Sequence, residues 1–119
     1  SSTKFNNLIK RLEKSKLLGL HIHCPDGATP IDGPSAGCAI AIAIYSLFIN
    51  KPINNTIAIT GEIDLIGNVH KIGGVEAKIN GAILAGVTKI FLPEENRIEY
   101  NKYYNCNSLF IRAFRIFKL

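Results

Sequence analysis

The chain opens with apolar residues that recur at helical spacing, with charged and polar residues between them. This pattern predicts an amphipathic helix over roughly residues 4–17, which Gly19 is expected to end. Residues 20–24 alternate apolar and polar positions, which predicts a strand, and the Pro-Asp-Gly sequence at 25–27 would break it. The apolar positions of the helix are Phe5, Leu8, Ile9, Leu12 and Leu17.

The most apolar part of the chain is residues 38–49, which follow a loop rich in proline, glycine and aspartate. Nearly every position there is apolar, so a helix over this segment has no polar face. Such a helix is predicted to be a buried central element. It is shorter than the roughly 20 residues that a bilayer requires, so a membrane span is not expected.

Short strands are predicted in the second half of the chain. Residues 56–60 and 89–92 are apolar enough for buried strands, and Pro93 ends the latter. Residues 62–69 form a second strand or the arm of a hairpin, because Gly67 and Asn68 supply turn residues inside the segment. These strands are interleaved with helical segments, which favours an α+β or α/β fold.

A third helix is predicted over residues 75–84, where apolar positions return to helical spacing and Gly86 is expected to end it. The segment 94–107 is polar and rich in tyrosine, and no element is assigned to it. Residues 109–119 are compatible with either a strand or a helix. At 119 residues with 47% apolar content, the chain is expected to form a single domain over 1–119.

Composition indicates the chemistry of the cysteines and the cellular location of the domain. Cys24, Cys38 and Cys106 are odd in number and lack CxxC spacing, which suits neither a disulfide framework nor a zinc site. The N-terminal residues do not resemble a signal peptide, so an intracellular location is expected, most simply cytoplasmic, with an organelle left open. The chain contains no methionine and is therefore expected to be a fragment or a processed product.

The basic charge does not by itself indicate nucleic-acid binding. The net charge is +5, but the lysines and arginines are scattered, apart from a cluster at residues 10–16. On an amphipathic helix such a cluster is more often a solvated face than a binding patch. Neither a nucleic-acid partner nor a membrane partner is expected.

The hexapeptide at residues 32–37, Asp-Gly-Pro-Ser-Ala-Gly, places Ser35 at the start of the apolar helix behind a Gly-Pro turn. A hydroxyl there is held rigidly, close to the free backbone N–H groups of a helix N-terminus, which can bind an oxyanion. Serine is also a very common helix cap. The motif alone leaves nucleophile and cap about equally favoured.

Several motifs together resemble the Lon protease family, in the family's order and spacing. They lie within about residues 20–93, and agreement over this many motifs is specific. The matching sequences are PDGATPIDGPSAG at 25–37, TGEI at 60–63, LIGNV at 65–69, IGGV at 72–75, and Lys78.

The resemblance implies a serine-lysine dyad peptidase with Ser35 as nucleophile and Lys78 as general base. A serine hydroxyl is a weak nucleophile that needs a base within hydrogen-bond reach, and a lysine can be that base if burial favours its neutral form. The implied fold is α+β, similar to the Lon proteolytic domain and ribosomal protein S5 domain 2, with mixed sheets packed against helices. It is expected to be N-terminally truncated, because the family has further β structure before its first helix.

Four more residues are carried over as supporting members of the active site: Thr60, Glu62, Asp32 and His21. Thr60 is expected to hydrogen-bond the Lys78 amine, and Glu62 to lie near the dyad. Asp32 lies near the serine, although an Asp-Gly-Pro turn favours aspartate for local reasons alone. His21 and His23 share one strand face, where a structural or peripheral active-site role is favoured over a metal site.

Full Lon enzymes join this domain to an AAA+ ATPase and assemble as hexamers that degrade unfolded proteins. The resemblance therefore implies unfolded polypeptide substrates, a homo-hexamer, and ATP with Mg²⁺ in the full-length enzyme. The sequence contains no phosphate-loop motif, and no cofactor or metal is expected in this domain. The family usually carries two lysines around a glutamate, whereas residues 75–78 read Val-Glu-Ala-Lys and keep only Lys78.

Two alternatives belong to other functional classes. A catalytically inactive Lon-like scaffold of a DNA-handling ATPase would share the fold, but it has no reason to keep both Ser35 and Lys78. An RNA-binding domain of ribosomal-protein type draws only on the basic charge, and it lacks an aromatic platform for stacking bases.

Overall fold

A computed structural model describes residues 2–14, 20–23, 33–106 and 115–118. In these residues the chain forms four α-helices, five short strands and one 3-10 turn, an α+β arrangement as predicted. The helices are α1 (Ser2–Lys14), α2 (Gly37–Ile49), α3 (Val75–Leu84) and α4 (Arg97–Cys106). The strands are β1 (Ile57–Ile59), β2 (Glu62–Ile63), β3 (Val69–His70), β4 (Lys89–Leu92) and β5 (Arg115–Lys118), and the 3-10 turn is Glu94–Asn96.

The strands form two small sheets. Strand β4 lies between β1 and β5 and pairs with both in parallel. Ile90 of β4 lies opposite Ala58 of β1 on one side and opposite Ile116 of β5 on the other. Strands β2 and β3 form an antiparallel hairpin, in which Glu62 lies opposite His70. The hairpin and the positions of β1 and β4 confirm the predicted strands. Strand β5 resolves the choice that the sequence left open, because 115–118 is extended.

Helix α3 packs its apolar face against β4 and α4, and this contact forms the core. Its start and end agree with the prediction. The backbone N–H of Gly86 donates to the Ile83 carbonyl and that of Val87 donates to the Ala82 carbonyl, while Gly86 takes a φ of +74°. This is the Schellman arrangement, which needs a residue tolerant of left-handed backbone at that position. The buried core residues are Ile72, Val75, Ile79, Ala82, Ile90, Leu92 and Tyr100.

Helix α2 has the predicted position and ends at Asn50, but the prediction that it is buried all round is wrong for the described part of the chain. Cys38 is its only buried residue, while Tyr45 and Leu47 are exposed, Leu47 by 62%. Contacts to α2 come from α1, β1 and β2, which cover only part of its circumference. An apolar pattern indicates which helix faces favour burial, but whether they are buried depends on other elements packing against them.

Two further predictions concern the first third of the chain. Residues 20–23 carry no regular strand, so the strand predicted over 20–24 is not present in the part that is described, and all four side chains are exposed. Helix α1 begins slightly earlier than predicted, and the stop at Gly19 lies outside the described residues. No helix among the described residues is both long enough and apolar enough to span a membrane.

Candidate active site

Ser35 lies in the turn that leads into α2, and its main chain is fastened to the start of the β2–β3 hairpin. Its carbonyl oxygen accepts hydrogen bonds from the Gly61 backbone N–H at 2.9 Å and from the Thr60 hydroxyl at 3.1 Å. The Cys38 backbone N–H donates to the Gly61 carbonyl at 3.0 Å. The serine is thus held by segment 60–61 from one side and by its own helix from the other.

Two glycines allow this close approach. A Cβ added to Gly37 would lie 2.9 Å from Ile63 Cγ2 and 3.2 Å from the Ile63 backbone nitrogen. A Cβ on Gly61 would lie 2.8 Å from Cys38 Sγ. Both distances below 3.0 Å are closer than real Cβ contacts allow. The glycine at the end of the Pro-Ser-Ala-Gly motif is therefore required by the packing of α2 against β2.

Lys78 extends from the first turn of α3 to the serine. Its Nζ donates a hydrogen bond to Ser35 Oγ at 3.1 Å. The residue is half-buried, and the helix face beside it, with Val75 and Ile79, turns into the core. Within the described residues Lys78 forms no ion pair, so no carboxylate competes with the serine for its amine.

The two side chains border a pocket of about 420 Å³. Apart from Ser35, Thr60 and Lys78, the described residues of its walls are aliphatic and mostly small. These walls are formed by Ala36, Ala39, Ala58, Ile59, Ala82, Ala85, Val87 and Ile90. A larger hollow of about 680 Å³ beside α1 is lined by Asn7, Lys10, Glu13 and Lys14, and these described residues include no nucleophile next to a base.

The structure brings only part of the predicted site together. Thr60 is buried at the dyad, but its hydroxyl donates to the Ser35 carbonyl instead of contacting the lysine amine as predicted. Glu62 and His21 have no hydrogen bond to Ser35 or Lys78 among the described contacts, and His21 is exposed with its ring centroid 6.3 Å from that of His23. Asp32 lies outside the described residues.

Some backbone N–H groups near Ser35 already donate a hydrogen bond within the protein, and others do not. The N–H of Gly37 donates to the Pro34 carbonyl at 3.1 Å, and that of Cys38 is taken by Gly61. The N–H groups of Ser35 and Ala36 have no partner among the described residues. Two neighbouring donors beside the serine hydroxyl are the arrangement that stabilises an oxyanion in acyl transfer.

A charged cluster lies where the β2–β3 hairpin meets the 3-10 turn. The His70 Nε2 group bonds Asp64 Oδ2 at 2.9 Å, and its Nδ1 lies 3.7 Å from Glu95 Oε1. The hydrogen bond from His70 lowers the pKa of Asp64, helped by N–H donors of Asn68 and Ile66. The same bond raises the pKa of His70, and the negative charges of Asp64, Glu95 and Glu62 add to the increase. Glu62 therefore acts electrostatically on His70.

Asn96 is a polar residue of this region for which the sequence offered no signal. It follows two glutamates in a short polar segment, a context typical of solvent-exposed turns, yet the structure buries it. Its carboxamide bonds both the backbone N–H and the carbonyl of Ile72, just before α3. No group of three or more histidine, cysteine, aspartate or glutamate side chains suited to a metal ion occurs among the described residues.

Comparison with known proteins agrees with this geometry. A family model described as the Lon protease (S16) C-terminal proteolytic domain matches residues 2–105. The chain is 51% identical over 80 residues to Lon protease of Fusobacterium nucleatum subsp. nucleatum, which covers 67% of this chain and 10% of that protein. It is 50% identical over 82 residues to the mitochondrial Lon protease homolog of Mus musculus, which covers 69% of this chain and 9% of that protein.

A viral relative extends the match. The Lon protease homolog of Acanthamoeba polyphaga mimivirus is 44% identical over 99 residues, which covers 79% of this chain and 10% of that protein. The chain thus spans about a tenth of the length of the curated relatives it matches. The match to the family model covers most of the chain, and the chain belongs to the Lon protease (S16) C-terminal proteolytic domain family.

Proposed function

We propose that the chain is the serine endopeptidase domain of an ATP-dependent Lon protease and hydrolyses peptide bonds with Ser35 as nucleophile and Lys78 as general base. The observation that carries the proposal is the 3.1 Å hydrogen bond between Lys78 Nζ and Ser35 Oγ. A scaffold without catalysis has no need to hold a lysine amine on a serine hydroxyl beside a pocket. The geometry therefore favours the peptidase over the inactive scaffold.

The reaction is an acyl transfer in two stages. As an ammonium ion, Lys78 donates to Ser35 Oγ; as a neutral amine at the same distance, it accepts the hydroxyl proton. The Ser35 oxygen then attacks the peptide carbonyl carbon, and Lys78 gives the proton to the leaving amine nitrogen as the C–N bond breaks. In the second stage Lys78 takes a proton from water, whose oxygen attacks the ester, and Ser35 leaves with a proton from the lysine.

The backbone N–H groups of Ser35 and Ala36 are assigned the role of donating hydrogen bonds to the substrate oxygen as its negative charge develops. The N–H groups of Gly37 and Cys38 are excluded from this role, because they already donate to carbonyl oxygens. Thr60 and Gly61 fix the Ser35 peptide unit through its carbonyl oxygen, which orients its neighbouring N–H groups. Preorganised donors of this kind lower the barrier by about 3–4 kcal/mol each.

The properties of the whole protein belong to the same proposal. Its substrates would be unfolded polypeptides, and the protein would act inside the cell as a homo-hexamer. ATP with Mg²⁺ would be bound by an attached AAA+ module. Within the α+β class, the fold would be that of ribosomal protein S5 domain 2. These inferences follow from family membership and the names of the relatives.

The proposed function is tested with Ser35→Ala in the 119-residue chain, using a fluorogenic unstructured peptide. We expect the variant to keep its circular dichroism and melting temperature, while serine-dependent hydrolysis disappears. Ser46→Ala is the matched control, because Ser46 is a second serine of the same region, and its hydroxyl donates to the Lys51 carbonyl away from the dyad. Hydrolysis by Ser35→Ala at the wild-type rate would refute the assignment.

A further inference from the structure

Asn96 joins the 3-10 turn after β4 to the loop before α3. Its side chain is only 1% exposed, and its Oδ1 accepts the Ile72 backbone N–H at 3.0 Å. Its Nδ2 donates to the Ile72 carbonyl at 2.9 Å and to Glu99 Oε2 at 3.2 Å. One side chain thus satisfies both polar groups of a single backbone residue, as a neighbouring strand would.

This pairing requires a carboxamide. The Ile72 N–H needs an acceptor and its carbonyl needs a donor, and both lie in a buried region. An aspartate at position 96 would provide only acceptors when ionised, so the Ile72 carbonyl would lose its partner. The two glutamates around this contact support it less directly: Glu95 Oε2 accepts the Lys71 backbone N–H at 2.9 Å, and Glu99 bonds Asn96 itself.

The anchored residue lies just ahead of the helix that carries the general base. Between Ile72 and α3 stand only Gly73 and Gly74, and nothing lies within 4 Å of the Cβ position of either glycine. Gly74 is in the left-handed region with φ +67°, and its carbonyl accepts the Lys78 backbone N–H at 3.0 Å. The start of α3 is therefore connected to an anchor at Ile72 through two glycines, which have no side chains to pack.

Burial of one face of α3 does not fix the position of the helix along its own axis. Val75, Ile79 and Ala82 determine which side of the helix turns inward, but apolar contacts are not directional and resist sliding along the helix axis weakly. The hydrogen bonds to Ile72 are directional and oppose such sliding. Ser35 is held separately, by Thr60 and Gly61, so it would not follow a displacement of α3.

We infer that Asn96 is a positioning residue, which holds the Ile72 backbone so that Lys78 Nζ lies within hydrogen-bond reach of Ser35 Oγ. The inference rests on the proposed function, since it assigns Asn96 a part in the Ser35–Lys78 reaction. A displacement of the base by about 1 Å lowers turnover by up to about a hundredfold without changing how substrate is bound.

The test is Asn96→Asp, measured as kcat and KM of peptide hydrolysis well below the melting temperature of every variant. We expect kcat to fall by about tenfold or more and KM to stay within about twofold, because the base is displaced while the substrate surface is retained. Asn80→Ala is the matched control: it removes an asparagine that accepts a hydrogen bond from Tyr103, at a contact between α3 and α4 that does not involve Ile72. It should lower the melting temperature and leave kcat within about twofold.

A second variant covers the case in which Asn96→Asp fails to fold. Glu95→Ala removes the acceptor of the Lys71 N–H from a side chain that is 51% exposed, so folding should tolerate it, and a smaller fall in kcat is expected. Loss of stability without a fall in kcat, in whichever variant folds, would overturn the inference.

A crystal structure of the folded variant provides a readout that does not depend on activity. We expect the distance from Lys78 Nζ to Ser35 Oγ to lengthen from 3.1 Å, and an unchanged distance would overturn the positioning role. Absence of Ser35-dependent hydrolysis in the wild type would instead refute the proposed function. The two failures are therefore distinguishable.

Discussion

The Thr60 hydroxyl donates a hydrogen bond to the backbone carbonyl oxygen of Ser35 at 3.1 Å. The resemblance predicted that this hydroxyl would hydrogen-bond the Lys78 amine. In the structure the threonine instead supports Ser35. The Gly61 N–H donates to the same carbonyl at 2.9 Å. The main chain of Ser35 is thus fixed by two donors from the consecutive residues that follow β1.

Replacing Thr60 by valine, which has nearly the same shape, should remove one of these donors. We expect a loss of about 0.5–1.5 kcal/mol in the free energy of unfolding, together with a lower kcat, because the Ser35 peptide unit is less firmly oriented. Urea denaturation and peptide hydrolysis measure the two effects. Thr60→Ser keeps the hydroxyl and should retain most of the activity; equal kcat in Thr60→Val and wild type would argue against the orienting role.

Replacing Lys78 by arginine or methionine should abolish general-base catalysis. Arginine keeps the positive charge but does not lose its proton, and methionine has no amine at all, so neither accepts the Ser35 proton. We expect kcat to fall by about a hundredfold or more, with little change in the melting temperature. Lys89→Arg, at an exposed position of β4, is the control and should hydrolyse the peptide normally. Substantial turnover by either Lys78 variant would require another base.

Replacing Gly37 by alanine should strain the contact between α2 and the hairpin. The new methyl group would lie 2.9 Å from Ile63 Cγ2 and must displace it. We expect a loss of about 1–3 kcal/mol in the free energy of unfolding and reduced hydrolysis, because the Ser35 turn moves with the helix. Chemical denaturation of the purified variant measures the loss.

The matched control for Gly37 is Gly81→Ala in the middle of α3. Nothing lies within 4 Å of the Gly81 Cβ position, so alanine should stabilise the helix by about 0.5–1 kcal/mol. Opposite signs for the two glycine substitutions are expected. A stabilising Gly37→Ala would show that the α2–β2 contact is looser than the structure indicates.

The Asp64–His70 pair should make stability depend on pH. The raised pKa of His70 contributes stability that is complete below the unfolded pKa of about 6.5 and is lost as pH rises through the folded value. The lowered pKa of Asp64 contributes stability that is complete above about 3.9 and is lost as pH falls through its folded value. The pair is therefore most stabilising near pH ~5.

His70→Gln measures this contribution directly. We expect the difference in unfolding free energy between wild type and variant to be largest in that range and to shrink on both sides of it. Urea denaturation from acid to mildly alkaline pH provides the comparison. A difference that does not vary with pH would mean that the ion pair adds nothing to stability.

Local sequence chemistry predicted the elements near the site well. Gly86 ends α3 because only a residue tolerant of positive φ fits there, and the turn at Gly67 makes residues 62–69 a hairpin. Ser35 was recognisable because a turn before an apolar helix has a local signature. The position of Lys78 could be predicted only from the family spacing, since a lysine on a helix is ordinarily solvated.

Features that depend on tertiary contacts were not predictable in the same way. Helix α4 lacks a long apolar stripe, and it is held mainly because Tyr100 enters the core of α3 and β4. The bond from Thr60 to the Ser35 carbonyl joins residues 25 positions apart, and the burial of Asn96 depends on a loop 24 positions earlier. Side-chain types alone do not specify such pairings.

The hairpin and the dyad differ in how far apart their partners lie along the chain, which has a consequence for folding kinetics. Asp64 binds the N–H groups of Ile66 and Asn68 within four residues, so this turn closes quickly. Ser35 and Lys78 are 43 positions apart, and contacts between such distant segments form more slowly than a local turn. During refolding, secondary structure should therefore return before peptide hydrolysis, because a half-folded chain does not yet hold Lys78 against Ser35.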